Sequence, residues 1–87
     1  MYRYDDYKEF TFTHKGQLMF LRIRDNVIER LKSGGAITMQ MATDCGVGGS
    51  NWEQMACVDR LLEIREIREV EQKHEVNGQN RLFMKGI

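Results

Sequence analysis

The sequence predicts a single α+β domain, and three observations predict it. Residues 17–32 and 51–64 each repeat apolar side chains at helical three- and four-residue steps. Glycine-rich breaks separate these segments at Ser33, Gly34 and Gly35 and again at Gly46, Gly48 and Gly49. A glycine-free stretch, 67–76, is then joined to 79–85 by Asn77 and Gly78. That dipeptide suits a two-residue hairpin, because both positions of a type I′ turn need positive φ. The chain has 87 residues, 41% of them hydrophobic, which serves one small core and is too short for two.

Each element follows from local chemistry. Residues 1–16 hold Tyr2, Tyr4, Tyr7, Phe10 and Phe12, and the alternation over 10–14 suggests a short strand. This stretch is expected to be an N-terminal aromatic arm or short strand, with the main domain over 17–87. In the helix at 17–32, Phe20, Ile23, Val27 and Leu31 form the inward stripe, and Leu21 and Ile28 widen it. Arg22, Asp25, Glu29 and Arg30 lie opposite. Thr38 is a good N-cap for a short helix at 39–45 with Met41 and Ala42 inward. Ser50 and Glu53 form a capping box that opens the third helix. Its buried line is Met55, Val58 and Leu62, with Leu61 and Trp52 beside it. In the last strand Leu82 and Met84 share one face, and Arg81 and Phe83 the other.

Helix, short helix, turn, helix and hairpin is an order similar to that of winged helix-turn-helix domains. The run from Ile37 through Ala42 and Gly46 to Val47 resembles the first helix and turn of the motif. The run from Leu61 to Val70 resembles the passage from the recognition helix into the wing, and Gly78 to Phe83 resembles the wing's aromatic closing strand. The likeness covers about residues 17–86 and departs from the family in two places. The turn is lengthened by Gly48 and Gly49, and no glycine stands at 64–66 before the wing.

The resemblance implies a small DNA-binding protein, a transcriptional regulator, whose third helix enters the major groove of double-stranded DNA. On the helix and turn the candidate contacts are Ser50, Asn51, Gln54 and Arg60; on the wing they are Lys73, His74, Gln79 and Arg81. Amide and guanidinium groups match the edges of adenine and guanine. Charge argues the other way. Lysine plus arginine and aspartate plus glutamate are 13 each, so the chain has no net positive charge to hold phosphates. Residues 38–65 carry only Arg60 and Arg65 against Asp44, Glu53, Asp59 and Glu63. The alternative is therefore a winged-helix protein–protein interaction module that does not bind DNA, with Trp52, Cys57 and Arg60 on the third helix as its surface. The aromatic arm is the expected place for a homodimer contact.

Other chemistries find little support. Cys45, Cys57, His14 and His74 lack paired metal-ligand spacing, so no metal and no other cofactor is expected. The glycine run at 46–49 lacks the lysine and Ser/Thr of a phosphate loop. The acidic residues at 63–71 alternate with arginines as a solvated pattern, and no nucleophile pairs with a histidine, so no enzyme is expected. Without an apolar run of membrane length or a signal pattern, a cytoplasmic protein without a membrane partner is expected.

Overall fold

Capping fixes where the helices begin. The computed structural model describes residues 1–70 and 81–86. Arg3 precedes a short helix α1 (Tyr4–Tyr7), which runs into a 3-10 helix (Lys8–Phe12). Thr13 then caps the long helix α2 (His14–Gly34), its hydroxyl accepting from the Gly16 N–H at 3.0 Å. Gly35 ends α2 at φ 78, its N–H donating to the Leu31 carbonyl. Strand β1 (Ala36–Thr38) follows, and Thr38 also caps α3 (Met39–Thr43) by accepting from the Met41 N–H. Both halves of the capping box at Ser50 and Glu53 open α4 (Asn51–Glu63). Strands β2 (Ile67–Glu69) and β3 (Leu82–Lys85) are the remaining elements among the described residues.

Among the described residues the fold is α+β, with four α-helices and one three-stranded antiparallel sheet. The strand order is β1-β3-β2, so β3 is central; Phe83 faces Ile37 on one side and Glu69 on the other. The core lies between the helices and this sheet. Ile23 and Val27 of α2, Met39 of α3, Val58 and Leu61 of α4, and Phe83 of β3 are all essentially solvent-free. No described helix is long and apolar enough to cross a membrane. The predicted hairpin tip at Asn77 and Gly78 lies outside the described residues, as do residues 71–76 of the first strand expected beside it and residues 79–80 of the second.

Several expectations are corrected. Residues 4–12 are helical and packed against α4 rather than an arm or strand; in the expected strand Thr11 is buried and Phe12 is half exposed. Helix α2 begins three residues early, at His14, because Thr13 caps it, and Gly16 lies within its first turn as a close-approach site. A Cβ there would lie 1.8 Å from the Phe10 carbonyl oxygen. The stripe on α2 is also rotated: Met19 joins Ile23 and Val27 inside, while Leu21 and Ile28 face outward. On α3, Met39 and Ala42 are buried and Met41 is exposed. On α4, Leu61 is buried and Leu62 only partly so.

Candidate functional site

A helix that reads DNA needs one free face, so the surroundings of α4 decide what the domain can touch. The middle of α4 is enclosed. Met55, Ala56, Cys57, Val58, Asp59 and Leu61 are all buried, which spreads burial around the helix rather than along one stripe. Helices α2 and α3 and strand β2 cover part of it, and α1 and the 3-10 helix cover much of the rest.

The N-terminal segment is fastened to α4 by polar contacts. The Tyr2 hydroxyl donates to the Asp59 carboxylate. Glu63 accepts from the Tyr4 hydroxyl at 2.8 Å and from the Lys8 ammonium at 2.6 Å, and also from Arg60 at 2.6 Å. The bonds from Lys8, Tyr4 and Arg60 hold the Glu63 carboxyl down at about 2. Burial and the bond to Asp59 push the Tyr2 phenol well above its ordinary range. Tyr7 meets the edge of Trp52 with ring centroids 5.8 Å apart.

Asp59 links this segment to the sheet. It is the charged side chain that the core encloses, and Arg81 answers it with two hydrogen bonds, the shorter at 2.8 Å. Arg81 also donates twice to Glu69, at 2.8 and 3.0 Å. Burial alone would lower the Arg81 guanidinium, but its bonds to Glu69 and Asp59 outweigh that and hold it firmly charged.

Four of the five candidate DNA contacts among the described residues therefore have intramolecular tasks. The Ser50 hydroxyl caps α4. The Gln54 amide donates to the carbonyls of Val47 and Gly48 and closes the glycine turn. Arg60 pairs with Glu63 and lies over the Phe12 ring at 4.9 Å. Arg81 is bound to two carboxylates. Asn51 is exposed at the start of α4. Lys73, His74 and Gln79 lie outside the described residues.

Of the three residues expected as a protein surface, Trp52 is 41% exposed, within the Tyr2–Tyr7–Trp52 cluster. Cys57 is a correction: it is fully buried, not outward, because the start of α2 crosses that side of α4, with the Gly16 carbonyl 4.0 Å from its sulfur. Burial and the nearby Glu53 charge push its thiol up to about 12. The aromatic arm is likewise engaged with α4 of its own chain. Sequence reasoning missed Asp59 and Glu63 as hubs, because their partners stand 57 and 59 residues away in Tyr2 and Tyr4.

A concave surface lies elsewhere. A groove of about 530 Å³ runs between the C-terminal half of α2 and the sheet edge. Val27, Ile28, Leu31, Leu61 and Ile67 form its apolar wall. Lys32, Arg65 and Lys85 stand around it, and the one acid among its described lining residues, Glu66, is paired with Arg24 at 2.8 Å. Among the described residues no group of three or more His, Cys, Asp or Glu side chains is placed to hold a metal ion. No protein-family model, curated protein or solved structure matches the chain.

Proposed function

We propose that this chain is a winged-helix domain that acts by binding another protein, not by inserting α4 into the major groove of DNA. The element order and the β1-β3-β2 sheet are compatible with a winged helix. The observation that carries the functional reading is the enclosure of α4 by the chain's own N-terminal segment. Where a reading helix presents side chains to base edges, this one buries Ala56, Cys57 and Asp59. Freeing Arg81 for a phosphate would leave the buried Asp59 carboxylate with the Tyr2 hydroxyl but without its counter-charge, a cost of up to about 3–5 kcal/mol. The groove beside α2 supplies the positive part of the reading. Its apolar wall suits bulky apolar side chains, and Lys32, Arg65 and Lys85 suit carboxylates flanking them, so the partner segment is amphipathic and acidic.

Amide NMR titrations test this. At low salt, where attraction to phosphate is greatest, a mixed-sequence DNA duplex is expected to move no amide of α4. An acidic amphipathic peptide is expected to move Leu31, Ile67 and Lys85. A duplex that binds and shifts Asn51 and Gln54 would reverse the assignment.

A further inference from the structure

The outward face of α2 is patterned although nothing in the chain's described fold covers it. Ile23 and Val27 point into the core, and the side opposite them carries Leu18, Leu21, Asp25, Ile28 and Lys32. These positions follow alternating three- and four-residue steps, the spacing of a helix–helix seam. Leu18 and Leu21 are 58% and 50% exposed, and Ile28 is 37% exposed. Along the flank of this seam run Lys15 and Arg22, then Glu29, each seven residues from the next. None of Lys15, Arg22, Asp25 or Glu29 forms an ion pair with another described residue.

We propose that this face of α2 binds a second copy of the chain, with the two α2 helices antiparallel. The charges choose the occupant and its direction. The seam's flank is basic toward the start of α2 and acidic further along, so a two-fold axis near residues 22–25 brings unlike ends together. Leu18 then faces Ile28 of the second copy, and Lys15 lies beside its Glu29. The same axis brings Arg22 beside Arg22 of the second copy, and Asp25 of each copy lies next to that pair and offsets its repulsion. A parallel pair would instead stack Asp25 on Asp25 and Lys32 on Lys32, and like charges across a seam repel. A single polar seam residue such as Asp25 lowers affinity while fixing register and orientation. The seam shares Ile28 and Lys32 with the rim of the groove, so a second copy and a groove-bound segment compete at that end of α2. Lys15, Leu18, Leu21 and Glu29 lie outside the groove, and the contact leaves the N-terminal segment docked on α4.

Sedimentation velocity over a concentration series tests the pairing, with variants chosen away from the groove. The wild type is expected to pass from monomer to dimer as concentration rises. Leu21→Lys is expected to weaken the dimer by about tenfold or more, since each copy loses a buried leucine. Circular dichroism checks its fold, and Leu18→Gln replaces it if it is unfolded. Lys15→Glu and Glu29→Lys are each expected to weaken the dimer, and an equimolar mixture of the two to recover it. Residues 15 and 29 are about 21 Å apart along one helix, so recovery reports a contact between chains. A wild type that stays monomeric at every concentration overturns the proposal and leaves the face to a different protein. So does a seam variant that dimerises like the wild type, or a mixture no tighter than its components.

Discussion

Arg65 leaves α4 in the left-handed region, at φ 64, where a side chain is strained and glycine is not. Winged-helix resemblance places a glycine near this point, and the chain has none at 64–66. The glycine that the exit does require is Gly86, just past the end of β3. A Cβ on Gly86 would lie 2.1 Å from the Arg65 carbonyl oxygen, and the Gly86 N–H donates to Glu66 at 2.9 Å. Arg65→Gly should therefore raise the denaturation midpoint, by up to about 1 kcal/mol after the added flexibility of the unfolded chain is counted. A lower midpoint would mean that the Arg65 side chain contributes more than its backbone costs. Leu61 and Leu62 offer a second residue-level comparison. Leu61→Ala should cost about 2–5 kcal/mol, and Leu62→Ala clearly less, because only Leu61 is fully enclosed. The sequence favours Leu62 because a single-stripe pattern assumes one covered face, and α4 is covered on several. The caps at Thr38 and Ser50 were legible because donor and acceptor lie within three residues. Gly16 was not, since its meaning depends on the Phe10 carbonyl packed against it.

At the scale of elements, the N-terminal segment is the part that sequence patterning misreads, and it closes the candidate DNA-reading face. Its alternation over 10–14 matches a strand, yet one turn of 3-10 helix buries Thr11 and turns Phe12 outward. No local rule announces that Tyr4 and Lys8 will meet Glu63. These contacts make the docking sensitive to acid. The Glu63 carboxyl lies at about 2 in the folded chain against an ordinary value of 4.5. A depressed folded value means that the stabilisation is complete above the unfolded value and is lost as pH falls from there toward the folded one. Between pH 4.5 and about 2 the segment should therefore loosen from α4. Trp52 reports this, because Tyr7 packs against its ring. Its emission is expected to change through that window, and Glu63→Gln is expected to flatten the step. Emission that is level through the window in the wild type, or unchanged by Glu63→Gln, would show that the docking does not rest on this carboxylate.

For the molecule as a whole, α4 works as an axle to which the other elements attach. Helix α2 crosses one side, α3 and the sheet another, and the N-terminal segment much of the remainder. The Tyr2–Asp59–Arg81–Glu69 chain of hydrogen bonds ties that segment, through α4, to β2. The side of α4 that carries Cys57 lies under the start of α2, which is itself part of the core, so its exposure is expected to need general unfolding even where the N-terminal segment loosens. The two cysteines make that testable. Cys45 is partly exposed in the glycine turn, whereas Cys57 is solvent-free and its thiol is pushed up to about 12. Both the lack of access and the scarcity of thiolate slow its reaction. With a small alkylating reagent at mildly alkaline pH, mass spectrometry should find Cys45 modified first. Cys57 should follow only at the rate of global unfolding, so its labelling should accelerate with denaturant along the slope of the whole transition. If Cys57 is modified as fast as Cys45 in native buffer, the start of α2 separates from α4 while the rest stays folded. The axle would then have an openable side, and the case against a reading face on α4 would lose its support.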